Sequence, residues 1–300
     1  MRNRFIELLI EYVKKNKKTY LITGDLGYSV LEPFKERFPD NFINAGIAEQ
    51  NMMGLAAGLA MEGNKVFVYS IVNFLTFRAL EQIRNDICYH NLDVNLISIG
   101  AGYSYGAQGY THHGIEDIGI MRVLPNMQIY TPYNLNSLEY IFQKSLQKNE
   151  PKYFRLGRGV AQNEKKNIIK SDFVILNTLS KNNIVVYGEI ALEIKKIIVE
   201  FNLNIGLIVL LTPFNKNSSK KILSILERSQ NLITIEEHIY NNGLGSYINY
   251  LAIKKDIKNI KIKNLYCRHK FISKIGDRNY LLSLNGISGK KLADVLKNFK

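Results

Sequence analysis

Glu49 is the acid whose setting most invites chemistry. It follows an apolar strand end, Phe42-Ile43, and a turn, Asn44 to Gly46, just inside a helix predicted from about Ile47. A carboxylate at such a junction can exchange a proton with a ligand lying at the strand end. Gly54, Ala56, Ala57, Gly58 and Ala60 give this helix little side-chain volume. Glycine inside a helix costs roughly 1 kcal/mol against alanine, so the pair predicts another backbone packed close. Spacing alone leaves a second reading open, a solvated first-turn acid favoured by the helix dipole.

Other groups could join it. His112 and His113 follow a glycine-rich loop, Gly100 to Thr111, that can bring backbone close to a ligand. Histidine titrates near operating pH and suits proton transfer, whereas a metal site would need further ligands at suitable spacing, and none is visible. Phe74 and Phe77 are three apart and predict one helical face, either core or a flat surface for a ring. Arg78, Arg155 and Arg158 carry donor forks fitted to phosphate oxygens, the alternative being solvated arginines.

Apolar runs place these groups on elements. Tyr20 to Thr23, Lys65 to Tyr69, Val94 to Ile99 and Met127 to Tyr130 alternate with helical stretches in the first half; Asn183 to Tyr187, Ile205 to Leu211 and Asn231 to Ile235 do so in the second. That rhythm predicts an α/β chain of two domains, each a mostly parallel sheet sandwiched by helices. The glycine-, charge- and amide-rich stretch from Gly157 to Asn167 puts the boundary near residue 165, giving domains 1–165 and 166–300.

Taken in order, Gly24-Asp25-Leu26-Gly27, the Glu49 segment, Ala79 to Asp86 and Thr111-His112-His113-Gly114 resemble the pyrimidine-binding half of the transketolase family. Leu211 to Asn215, Glu236 to Ser246, Gly276-Asp277-Arg278 and Gly286 to Gly289 resemble its C-terminal domain. The resemblance implies thiamine diphosphate as cofactor, with Glu49 sharing a proton with N1′ of the aminopyrimidine and so promoting loss of the thiazolium C2 proton. It implies Phe74, or in second place Phe77, as the stacking aromatic, and Asp25 on the cofactor side. His112 would move a proton on the substrate, and Arg158, Arg78, His113 and Gln108 would bind it, the arginines through phosphate. His238 would lie near the cofactor edge, in a domain that mainly supports dimer contacts. Gln108 stands where the family has an aspartate four residues before the histidine, and Gly100 where transketolases proper have another histidine; both departures imply a different sugar.

The family's Gly-Asp-Gly with a following asparagine, which holds Mg²⁺ against the diphosphate, has no match here. The resemblance therefore implies the second half of a split enzyme, with a separate diphosphate-binding subunit as partner, Mg²⁺ held by that partner, no metal on this chain, and pairing of two copies. It implies transfer of a two-carbon ketol unit from a ketose to an aldehyde, on sugar or sugar-phosphate substrates. Alternatives are the β subunit of a 2-oxoacid dehydrogenase or pyruvate-using synthase, and a non-catalytic binding subunit.

Composition narrows the remaining classes. The chain has 300 residues and a net charge of +14. Residues 1–160 hold 17 Lys+Arg against 15 Asp+Glu and residues 161–300 hold 23 against 11, so the excess sits in the second half. Its lysines lie among asparagines and isoleucines, not aromatics, which argues against nucleic acid. The amphipathic start has acids within its apolar stretch, and no run approaches a membrane span, so cytoplasm is the expected location. Cys88 and Cys267 stand far apart, arguing against a disulfide framework or structural zinc.

Overall fold

The computed structural model describes residues 1–158 and 168–299, in two sheets joined along a buried seam. The boundary expected near residue 165 lies outside the described residues. The first sheet contains β1 (Thr19–Thr23), β2 (Phe42–Asn44), β3 (Lys65–Ile71), β4 (Val94–Ile99), β5 (Gln128–Tyr130) and β6 (Lys152–Leu156). The order is β2-β1-β3-β4-β6-β5, with every pair parallel. β4 and β6 are buried at every residue, as befits strands covered on both faces. Helices α1 (Arg2–Lys15), α2 (Glu32–Arg37), α3 (Glu49–Met61), α4 (Leu80–Gln82), α5 (Asp117–Arg122) and α6 (Leu135–Ser145) accompany it. α1 presents Phe5, Ile6, Leu9, Ile10 and Val13 inward, and Phe5 meets Phe67, Phe142 and Phe154 edge-on.

The second sheet is β7 (Phe173–Asn177), β8 (Asn182–Tyr187), β9 (Gly206–Leu210), β10 (Asn231–Ile239) and β11 (Lys261–Cys267), ordered β11-β10-β8-β9-β7. Only the β7–β9 pairing is antiparallel. α7 (Ile190–Glu200), α8 (Lys216–Arg228), α9 (Leu244–Lys254), α10 (Arg278–Asn285) and α11 (Gly289–Lys297) complete this half. The expected α/β architecture of two mostly parallel sheets is therefore what the chain forms.

The seam fixes the loop that follows β4. Tyr103 donates its backbone N–H to Glu237 Oε1 at 2.8 Å, and Arg278 Nη2 meets Glu237 Oε2 at 2.6 Å. Arg155 Nε donates to Asp117 Oδ2 at 2.8 Å, while its Nη2 reaches the carbonyls of Gly114 (2.8 Å) and Glu237 (3.0 Å). Buried charge is tolerated where each donor and acceptor is matched in this way. Gly102 belongs to the same junction: its φ is +62°, and a Cβ there would lie 2.2 Å from Glu237 Cδ.

α3 differs from expectation. Met52, Met53, Ala56 and Ala57 point into the core, but nothing lies within 4 Å of a Cβ placed at Gly54 or Gly58. The close backbone predicted against these glycines is not supplied by the described residues, because only the alanine side of the helix faces the sheet.

Candidate active site

The groups singled out by type leave the carboxyl ends of neighbouring strands. β2 leads through a turn to Glu49, β3 to the segment from Asn73 to Arg78, and β4 to the loop bearing His112 and His113. That edge of a parallel sheet is where open α/β folds bind ligands. Glu49 is the first residue of α3 and only 4% exposed. The polar contacts of its carboxylate are two bonds from one nitrogen, Arg78 Nη1, at 3.1 Å to Oε1 and 3.2 Å to Oε2.

Phe74 to Arg78 form a π-helical turn rather than a regular α-helical one. Widened turns of this kind recur at functional sites because they re-aim side chains. Here the turn lays the Arg78 guanidinium over the Phe74 ring, 4.2 Å from its centroid. Phe74 also meets His112 edge-on at 5.3 Å. Phe77, expected on the same helical face, stands at the rim and is 50% exposed.

His112 Nδ1 lies 3.0 Å from Thr111 Oγ1, and partial burial followed by the nearby Arg78 charge pushes its pKa below the usual histidine value. His113 is buried, packs edge-on against Tyr103 at 5.0 Å, and is also pushed down, first by burial. Its Nε2 has no hydrogen-bond partner, nor has Oδ1 of Asn73, whose Nδ2 is committed to the Thr111 carbonyl at 2.8 Å. Both residues line a cavity of about 290 Å³ with Phe74, Phe77, Arg78 and Tyr110. Buried polar atoms left open beside a cavity are the signature of groups waiting for a ligand.

Sequence reasoning missed part of this wall. Glu116 lines the cavity with its carboxyl pushed up to about 7, first by burial and then by the charge of Asp117. Lys270, Phe271 and Ile272 reach the cavity from the second half, and the Phe271 ring packs tilted against Tyr110 with centroids 5.1 Å apart. No periodicity or motif marks that stretch. An acid shortly after a histidine pair is the available clue for Glu116.

Glu49 and His112 adjoin the cavity through Arg78 and Phe74 without lining it, and the remaining expected residues also lie outside its lining. Asp25 sits at the end of β1 with φ +54°, its carboxylate receiving bonds from Tyr28 (3.0 Å) and Asn44 (3.1 Å). Gln108 is exposed on the glycine-rich loop. Arg158 packs over Tyr105, 5.0 Å from its ring, and Tyr105 in turn lies 6.3 Å from His112. Arg155 is consumed by the seam. His238 is also interior: its Nε2 accepts the Gly119 N–H at 3.1 Å and burial pushes its pKa down to about 4, so it serves the seam and not a cofactor edge.

Residues 1–163, which carry most of this cavity wall, fit the model described as transketolase, pyrimidine binding domain. The chain belongs to the transketolase family. Among similar relatives, a subunit of apulose-4-phosphate transketolase from Actinobacillus succinogenes is 29% identical over 98% of this chain and 96% of its own length. A putative transketolase C-terminal section from Methanocaldococcus jannaschii is 30% identical over 98% of this chain and 94% of that one. A solved structure titled "Split gene transketolase, inactive beta4 tetramer" superposes with a TM-score of 0.83, covering 99% of this chain and 97% of that one at 28% identity.

The residues present fit a flat, donor-bearing heteroaromatic. Glu49 offers buried acceptor oxygens, Phe74 offers a ring face to the cavity, and Asn73 Oδ1 and His113 Nε2 are open on that cavity's wall. Among the described residues there is no cluster of three or more His, Cys, Asp or Glu able to hold a metal ion, and no helix is long and apolar enough to cross a membrane.

Proposed function

We propose that this chain is the pyrimidine-side subunit of a split, thiamine diphosphate-dependent transketolase-like transferase of the cytoplasm, active together with a separate diphosphate-binding subunit that holds Mg²⁺. The observation that carries the reading is the 4% exposed Glu49 carboxylate at the ligand-binding edge of the first sheet, beside the Phe74 ring. The end-to-end likeness to proteins described as a transketolase subunit and a split-gene transketolase supports the division into two chains.

In this reading Glu49 holds a proton at N1′ of the aminopyrimidine, while Phe74, with Phe77 at the rim, keeps that ring flat by stacking. When bound, thiamine diphosphate supplies the carbon nucleophile that cleaves the bond beside a ketose carbonyl. His112, with Nδ1 engaged by Thr111, has Nε2 left to take or return the proton of a substrate hydroxyl. Its depressed pKa keeps it a neutral acceptor at neutral pH. His113 and Gln108 contact sugar hydroxyls, Arg158 and Arg78 take a substrate phosphate, and Asp25 shapes the cofactor side of the strand end. Two copies of this chain pair in the assembled enzyme, and the division between its two units lies near residue 165.

The test is reconstitution. Mixed with its diphosphate-binding partner, thiamine diphosphate and Mg²⁺, the chain is expected to transfer a two-carbon unit from a ketose phosphate to an aldehyde acceptor. Release of CO₂ from pyruvate without any such transfer would overturn the proposal.

A further inference from the structure

We infer that Arg78 is an exchangeable stand-in for the cofactor's aminopyrimidine, occupying its place on Glu49 and Phe74 until the ring arrives. The inference rests on the reading of Glu49 and Phe74 given above. A carboxylate buried to 4% exposure needs a compensating donor, because an unpaired buried charge is strongly destabilising. Arg78 is the cation that reaches it, yet Arg78 itself is about half exposed, its side-chain accessibility 49% against 4% for its partner. An arm with one end in solvent can swing away without unpacking the core.

The headgroup is chemically apt. A guanidinium is planar, cationic and edged with N–H donors, and so is a protonated aminopyrimidine. Arg78 makes the two kinds of contact that such a ring would make: N–H donation to the Glu49 carboxylate, and a position over the Phe74 ring, 4.2 Å from its centroid. The two cannot be present together on one ring face.

The contact is also loose. Both bonds come from the single atom Nη1, at 3.1 and 3.2 Å, instead of the paired fork at about 2.7–2.9 Å that marks a strong arginine–carboxylate bridge. The π-helical turn from Phe74 to Arg78 places ring and guanidinium in register, so one local irregularity of the backbone provides both the platform and its temporary occupant. Once displaced, the arginine remains on the cavity wall, where a cation can receive the anionic end of a substrate. Arg78 is thus a positioning residue that pairs with Glu49 before the ring enters, then becomes free when it does.

The experiment uses the full chain without its partner and thiamine as probe, since thiamine carries the aminopyrimidine and lacks the diphosphate that the partner would hold. Binding is read by saturation-transfer NMR for the wild type, Arg78→Gln, Glu49→Gln and the double variant. If the arginine occupies the site about nine-tenths of the time, removing it tightens thiamine binding roughly tenfold. Glu49→Gln is expected to abolish binding in both backgrounds. Equal or weaker binding by Arg78→Gln, with Glu49 still required, would overturn the exchange and leave the site reading intact. Binding that ignores Glu49→Gln would instead sink the site reading beneath it. Arg78→Lys keeps a charge for Glu49 without the plane, and should the glutamine variant fold poorly it carries the same comparison, with tighter binding than wild type expected and no gain overturning the exchange.

Discussion

Arginines at three positions show how one residue type divides its roles. Arg78 holds Glu49 by one nitrogen from a half-exposed position, whereas Arg155 is buried and bonds Asp117 and two backbone carbonyls across the seam. Arg158 lies on the Tyr105 ring. Arg155→Met is therefore expected to lower stability by roughly 3–5 kcal/mol, measured by urea unfolding, because Asp117 would stay buried without its partner. Arg158→Met should leave stability within about 0.5 kcal/mol, but raise KM for a phosphorylated substrate in the reconstituted enzyme. An unchanged KM would remove Arg158 from phosphate binding. The sequence makes Glu49, Phe74, Arg78 and the histidine pair visible through their order and neighbours. It does not reveal that Asp117 would lie opposite Arg155, because that pairing joins the exits of different strands, and so the bracing role of Arg155 is not legible in the sequence.

The elements that the apolar runs predict, β1, β3, β4, β5, β8, β9 and β10, are strands buried at most of their positions, where a continuous apolar stretch is a direct consequence of burial. β7 and β11 lie at sheet edges with half-exposed patterns, and the lysines of β11 dilute its signal; neither stands out from sequence alone. β6 is obscured differently, since its arginine draws attention to chemistry. The π-helical turn is likewise silent in the sequence, because spacing arguments assume a regular α-helical period, and that is why Phe74 and Phe77 part company. The loop after β4 is held to the second half through Gly102, where no side chain fits against Glu237. Gly102→Ala is expected to cost roughly 2 kcal/mol from its positive φ alone, and more if Glu237 must shift away from Arg278. A thermal melt indistinguishable from wild type would show that the seam does not brace the loop.

Across the molecule, the net positive charge sits mainly in the second half, while the cavity gathers charged groups from both halves: Arg78 and Glu116 from the first, Lys270 from the second. This gives the fold a pH signature. The carboxyls of Glu116 and Glu236 are both pushed up to about 7, in each case chiefly by burial, from an ordinary 4.5. Each binds its proton more tightly when folded, so its contribution to stability is complete below about 4.5 and is lost as pH rises through about 7. His238 acts in the opposite sense: pushed down to about 4 from 6.5, it contributes fully above 6.5 and loses that contribution as pH falls toward 4. Subtracting the stability curve of Glu116→Gln from that of the wild type isolates the first effect, and the difference should fall steadily between pH 4.5 and 7. A flat difference would return Glu116 to the ordinary carboxylate range. The account as a whole turns on Glu49, and the most direct measurement follows the C2 proton of thiamine diphosphate exchanging with deuterium in the assembled enzyme, with wild-type chain or with Glu49→Gln. The expected result is rapid exchange with the wild type and a loss of at least about a hundredfold with the variant; exchange at the wild-type rate without the Glu49 carboxylate would contradict it.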